Sequence, residues 1–161
     1  ATNSLSLAAH LRERAEAMFP GAEPELVVEI PDTLPAVPLS LAVRHNVVLI
    51  GLEALHNAAR HSGARRVRLA LVPGRQSWTL TVADDGRGLV ASAGGGEPGH
   101  GSGLAAMRRR AEEIGGRLAI EPDPGGGTVV TLTFEPGAAD RRFAGTGAHD
   151  HVTPPRRGSV G

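Results

Sequence analysis

Twice in this 161-residue chain an alternating run of apolar and polar residues reaches a turn signal and then alternates back. Val67, Leu69 and Leu71 interleave with Arg66, Arg68 and Ala70; Pro73-Gly74 reverses the chain, and Trp78, Leu80 and Val82 resume the pattern. Leu118 and Ile120 do the same before a turn at Asp123 to Gly127, and Val130, Leu132 and Phe134 follow it. Successive strand side chains point to opposite faces, so each run has one apolar and one wet face. Strands joined by so few residues pair antiparallel. A half-wet sheet of this kind must cover its apolar face, and amphipathic helices are the natural cover.

Three helices are legible by their period. Leu7, Leu11, Ala15 and Met18 predict a short amphipathic helix from Leu5 to Phe19, ended by Pro20-Gly21. A long helix runs from Leu39 to about His61, with Ser62-Gly63 as its C-cap, and a third runs from about Ser102 to Ile114, stopped by Gly115-Gly116. Glu25 to Ile30 reads as a further strand, followed by a proline-punctuated loop to Pro38. The order helix, strand, helix, hairpin, glycine loop, helix, hairpin predicts an α/β fold: a two-layer α/β sandwich with helices on one face and solvent on the other. From Pro136 onward the periodicity vanishes, and residues 137–161 are expected to form a disordered tail.

Composition narrows the chemistry. Seventeen basic residues balance seventeen acidic ones, which argues against coating nucleic acid or an anionic membrane by bulk charge. All the basic residues are arginine, so Schiff-base chemistry and the lysine-containing phosphate loop are excluded. The absence of cysteine removes thiolate nucleophiles, disulfides and cysteine zinc sites. Aromatics at 2% leave too few rings for a base-stacking platform. No apolar run approaches the length of a membrane span and no signal-peptide pattern is present, so the chain is expected to be soluble; since it opens at Ala1, it reads as a piece of something longer.

Three segments carry chemistry. Glu53, Asn57 and His61 fall at i, i+4 and i+8 and so line one face of the long helix. Taken alone, that is what the solvent face of a surface helix looks like; an oxygen-rich cation and phosphate site is the other reading. Asp84-Asp85-Gly86-Arg87-Gly88 follows a strand directly. Asp-Gly is a strong hairpin signal, yet no alternating run follows at once. The chain instead enters a glycine-rich excursion through Gly94-Gly95-Gly96 and Pro98, of a length typical of a functional lid or a disordered loop. Gly99-His100-Gly101-Ser102-Gly103-Leu104 opens the third helix, and such glycines let backbone approach an anion at a helix N-terminus. No parallel strand–helix–strand unit encloses them, which separates this pattern from the dinucleotide fingerprint.

In this order and spacing the three segments resemble the ATP-binding catalytic domain of sensor histidine kinases. That superfamily includes gyrase, the ninety-kilodalton heat-shock chaperones and the mismatch-repair ATPases. Glu53-Ala54-Leu55-His56-Asn57-Ala58-Ala59-Arg60-His61 is similar to the family's asparagine box, Asp84-x-Gly86-x-Gly88 to its first glycine box and Gly101-x-Gly103-Leu104 to its second. The stretch from Gly101 through Met107-Arg108-Arg109-Arg110-Ala111-Glu112 to Gly115-Gly116 is similar to the subgroup paired with nitrate-type response regulators, and the lack of a phenylalanine box suits that subgroup.

The resemblance implies the Bergerat ATP-binding fold, with a mixed, mainly antiparallel sheet. It implies that Asp84 accepts a hydrogen bond from the adenine amino group and that Asn57 coordinates Mg2+, with Glu53 and His61 beside it as catalytic residues. It places Gly86, Gly88, Gly99, Gly101, Ser102, Gly103, Leu104 and Thr128 among the residues that bind ATP. It divides the chain into the end of a dimerisation helix or connector at 1–19, the ATP-binding domain at 20–136 and the tail at 137–161. The phosphoacceptor of such kinases is a histidine followed by Asp or Glu; His10 is followed by Leu11-Arg12, so the acceptor is expected in a dimerisation domain upstream. The implied partners are that domain, a response regulator and, for the whole protein, a second copy of itself, with no nucleic acid. An anti-sigma-factor-type serine kinase and a non-catalytic nucleotide-dependent binding module are the competing readings.

Overall fold

Both hairpins form where the alternation places them. The computed structural model describes residues 4–61, 63–86 and 98–139. Strands β2 (Arg66–Val72) and β3 (Trp78–Asp84) pair antiparallel, with Leu69 opposite Val82 and Leu71 opposite Leu80. Strands β4 (Arg117–Pro122) and β5 (Thr128–Phe134) do likewise, with Leu118 opposite Leu132 and Ile120 opposite Val130. An antiparallel β3–β5 seam joins the two hairpins, with Leu80 on Leu132 and Val82 on Val130. Strand β1 (Glu25–Glu29) adds to β2 in parallel, giving the order β1-β2-β3-β5-β4. That parallel step needs a crossover, and helix α2 (Leu41–His61) supplies it.

The register puts Val67, Leu69, Leu71, Leu80, Val82, Val130, Leu132 and Phe134 on one face, all buried. Helices α1 (Ser4–Met18), α2 and α3 (Pro98–Glu113) share that core. A Cβ added at Gly51 would meet Leu11 at 3.2 Å and Leu80 at 3.4 Å, so α2 lies pressed between α1 and β3. Thr79, Thr81, Thr131 and Thr133 form part of the opposite, half-exposed face. Leu7, Leu11, Leu55, Leu69, Leu71 and Leu132 have no exposed surface, and each stabilises the fold by about 1.5–3 kcal/mol through burial.

Helix α1, read from the sequence as the end of a dimerisation helix or connector, thus contributes Leu7, Leu11 and Ala15 to the common core. Its first residue also stitches it to the following loop: the Ser4 hydroxyl donates to the Pro35 carbonyl at 2.6 Å and accepts the Val37 N–H at 3.0 Å.

Several boundaries lie one residue from the sequence expectation, and three differ by more. Helix α2 begins at Leu41 rather than Leu39, because Ser40 is its N-cap: the hydroxyl accepts the Val43 N–H at 3.1 Å. The same hydroxyl donates to the Ala138 carbonyl at 2.7 Å, and the Ser40 N–H donates to the Pro136 carbonyl at 3.1 Å. The stretch just past Pro136, expected to be disordered, is therefore ordered to Ala139; residues 140–161 lie outside the described residues. Helix α3 begins at Pro98 rather than Ser102, since proline at the first helical position has its φ already set and gives up an N–H that would have no partner there. Its end is as expected. The Gly116 N–H bonds the Ala111 carbonyl at 2.8 Å, the Gly115 N–H bonds the Glu112 carbonyl at 3.0 Å, and Gly115 has φ +64°. Gly63, with φ +64°, occupies the expected C-cap position after α2.

Ser40 carries a helix cap and two hydrogen bonds to the C-terminal segment. Ser40→Ala is expected to cost about 1–2 kcal/mol in urea unfolding. Hydrogen exchange should rise at Val43 and at Ala138 while the sheet amides stay protected.

Candidate functional site

The site begins where β3 ends. Asp84 stands opposite Val67 on one side and Thr128 on the other, so the pleat turns its side chain to the helix-covered face. It is 8% exposed. One carboxylate oxygen accepts the Gly86 N–H at 2.9 Å, and the Thr128 backbone N–H also donates to the carboxylate. Burial pushes the Asp84 carboxyl above its ordinary value, against those two N–H groups, which favour the anion. Two donors leave acceptor capacity on the carboxylate for a third.

Gly127 closes this corner, and sequence reasoning treated it only as part of a turn. Its φ is +92°, and a Cβ there would fall on the Asp84 carbonyl and within 2.9 Å of the carboxylate. The signal was the third glycine of Gly125-Gly126-Gly127 directly before a strand; its contact with Asp84 comes from the β3–β5 pairing.

Asp85 has the opposite environment. It is exposed, and its Oδ1 accepts the Arg65 N–H at 2.8 Å and the Arg66 N–H at 3.0 Å. These bonds hold its carboxyl below the usual range. Asp85 ties the end of β3 to the start of β2 and so fixes the strand from which Asp84 projects inward.

The second half of the site is the α2 stripe. Glu53 and Asn57 are half-buried, whereas Ala59 and Arg60 are exposed, so the stripe is not the solvent face of the helix. A Cβ on Gly103 would come 2.5 Å from the Glu53 carboxylate, so α3 passes close to α2 here and any side chain at 103 would push the end of Glu53 aside. Leu104 packs on the core beside it. With α3 starting at Pro98, Gly99, Gly101 and Ser102 have helical backbone, and the N–H groups without an intrahelical acceptor move to the first turn. Gly88 and most of the glycine-rich excursion lie outside the described residues, as do the side chains of His61 and Ser102.

The structure thus brings Glu53 to Gly103, and Asp84 to Gly86, Gly127 and Thr128. His45 is exposed, while His56 is half-buried with its Nε2 3.4 Å from an Arg60 guanidinium nitrogen. Asn46, two turns before Glu53 on α2, was missed: it is buried, its amide NH2 donates to the Ala42 carbonyl at 2.9 Å, and its Oδ1 has no partner among the described residues. Among the described residues no three His, Cys, Asp or Glu side chains gather, so a cation here would rest on Glu53 and Asn57, with solvent or ligand oxygens completing its shell. No helix among them is long and apolar enough to cross a membrane.

Residues 42–138 match the family model of histidine kinase-, DNA gyrase B- and HSP90-like ATPases. The chain is 34% identical over 106 residues to the nitrate/nitrite sensor protein NarQ of Escherichia coli (strain K12), covering 63% of this chain and 18% of that protein. It is 35% identical over 98 residues to the sensor histidine kinase LnrJ of Bacillus subtilis (strain 168), covering 61% of this chain and 22% of that protein. The chain therefore spans about a fifth of the length of these relatives. Among solved structures it is similar to the histidine kinase domain of the blue-light activated histidine kinase EL346 from Erythrobacter litoralis, at TM-score 0.62 and 25% identity over 81% of this chain and 61% of that one. The ATP binding domain of PrrB from Mycobacterium tuberculosis shares the fold at TM-score 0.58 and 23% identity, covering 86% of this chain and 96% of that one.

The two neighbouring carboxylates should leave opposite marks on stability. Asp84 binds its proton more tightly when folded, so it takes stability away as pH rises from 3.8 through its raised native value. Asp84→Asn should therefore gain on the wild type across that window and hold the gain above it. Asp85 stabilises above 3.8 and loses that contribution as pH falls through its depressed native value. Asp85→Asn should be at a disadvantage at neutral pH and recover in acid. Urea unfolding from about pH 2 to 7 reads both. Gly127→Ala should lose at least about 1–3 kcal/mol from backbone strain alone, measured in the same way at neutral pH.

Proposed function

This chain belongs to the histidine kinase-, DNA gyrase B- and HSP90-like ATPases, and from there we propose that it is the ATP-binding catalytic domain of a two-component sensor histidine kinase. The observation that carries this reading is the buried Asp84 carboxylate, capped by Gly127 and holding acceptor capacity beyond its two backbone donors.

In this reading Asp84 takes the adenine amino group. A charge-assisted hydrogen bond in a buried site contributes about 1.5–3 kcal/mol, and it separates adenine, which offers a donor there, from guanine, which offers an acceptor. Gly86, Gly127 and Thr128 shape the floor around the base, and Gly88 continues the same loop. Asn57 and Glu53 offer hard oxygen donors that fit Mg2+, and the Gly103 cradle keeps the space over Glu53 free of a side chain. A bound Mg2+ would supply charge neutralisation to the phosphates, in place of the lysine of a phosphate loop, which this chain lacks. Gly99, Gly101, Ser102 and Leu104 place the positive end of α3 toward the phosphates, and His61 extends the α2 stripe beside Asn57.

The γ-phosphoryl passes to a histidine of an upstream dimerisation domain and then to an aspartate of a response regulator. Residues 1–19 lead from that domain, residues 20–136 bind ATP, and residues 137–161 form the tail. The domain works in the cytoplasm, within a full-length homodimer. Similarity to NarQ supports a regulator of the nitrate type.

Calorimetry with ADP tests the base contact. Asp84→Asn should weaken ADP binding by about 10–150-fold with the fold intact, and wild type should reject GDP; unchanged ADP affinity would remove the adenine role. Asn57→Ala should abolish phosphoryl transfer more completely than ADP binding. The chain alone should take no stable label from γ-labelled ATP, and a separate dimerisation domain bearing the acceptor histidine should restore transfer.

A further inference from the structure

Strand β1 forms one edge of the sheet. The Glu25 N–H bonds the Arg65 carbonyl at 2.7 Å, and in a parallel ladder alternate residues turn both backbone groups to the same neighbour. Glu25, Val27 and Glu29 therefore face β2, while Leu26 and Val28 turn their N–H and C=O to the open edge. Among the described residues these groups have no backbone partner. The side chains of Leu26 and Val28 are only partly buried against the core. Beside them lies a groove of about 420 Å³, formed with Glu16 and Phe19 from the end of α1 and its following turn.

The charged residues that line this groove, Glu16 and Glu25, are both acidic. From Glu16 to Asp32 the chain carries Glu16, Glu23, Glu25, Glu29 and Asp32 and not one basic residue, although the whole chain is neutral. Glu25 pairs with Arg66 at 3.2 Å and Glu29 with Arg68 at 3.1 Å on the outer face of the sheet. Glu16, Glu23 and Asp32 make no ion pair among the described residues.

We propose that the β1 edge is a strand-addition site for an extended basic segment of a partner protein. Its backbone completes the ladder at Leu26 and Val28, an apolar residue enters the groove beside Phe19, and its arginine or lysine side chains meet Glu16 and Glu23. A second copy of this chain does not suit the edge, since β1 against β1 would set the Glu25 and Glu29 of both copies along one seam. The site lies two strands from Asp84, so it does not depend on the nucleotide reading.

The test is amide NMR on the isotope-labelled 161-residue chain with two synthetic peptides, Arg-Thr-Val-Thr-Arg-Thr and Glu-Thr-Val-Thr-Glu-Thr, in which the apolar and charged residues share one face of an added strand. The basic peptide should saturably shift the Leu26 and Val28 amides and slow their exchange, with weaker binding at higher salt. The Glu16→Arg/Glu23→Arg double variant should weaken that binding by at least about tenfold while melting temperature and ADP affinity stay unchanged. Equal response to both peptides, shifts confined to other elements, or an unaffected double variant would overturn the proposal. So would protection of Leu26 and Val28 in the peptide-free chain that disappears when residues 140–161 are removed; the groove would then belong to the chain's own end.

Discussion

A carboxylate kept at the apolar end of a sheet is the constraint on which the rest of this structure depends. Burying Asp84 opposes folding, and the cost is limited only because backbone N–H groups reach it from both sides of the turn region, Gly86 from its own strand end and Thr128 from β5. Thr128 can do so only if the second hairpin docks against the first, in the register that sets Asp84 opposite Thr128. The β3–β5 seam is thus fold and site at once. A slip of one residue would turn Asp84 to the outer face and carry Leu80 and Val82 out of the core with it.

What was legible in the sequence follows from how local each signal is. The hairpins, the helices and the stops at Gly63 and Gly115-Gly116 rest on residues close in sequence, and the structure has them all. The features that escaped are set by partners far away. Ser40 looks like any serine before an apolar run until its hydroxyl is seen holding the Ala138 carbonyl, 98 positions on. The parallel pairing of β1 with β2 and the order of the strands depend on how elements pack, which no short window records. The early start of α3 shows propensity losing to context, since glycine at positions 99, 101 and 103 disfavours helix.

The site was legible by type and spacing but not by role. Asp84 and Asp85 are the same residue type side by side, and strand parity alone sends one into the helix layer and the other into solvent. Their environments then drive their proton affinities apart: burial raises one, and two backbone donors lower the other. A single residue step separates a group that binds from a group that braces. The same holds on α2, where Glu53 becomes more than part of a polar stripe because α3 packs against it.

Both halves of the site are therefore shaped where a side chain is missing. Gly103 lies against the Glu53 carboxylate, whose flexible end would have to move aside for a single added carbon, and Gly127 lies against Asp84, where that carbon would fall on backbone. Glycine at 103 was picked out by its spacing in a helix-opening pattern, whereas glycine at 127 sat in a hairpin turn that would accept glycine for local reasons alone. The two positions come from different elements, α3 and the β4–β5 turn, and meet acids held by α2 and β3. No one element makes the site. It exists only when the helix layer and the joined hairpins have closed on each other, so loss of the core and loss of the site are one event.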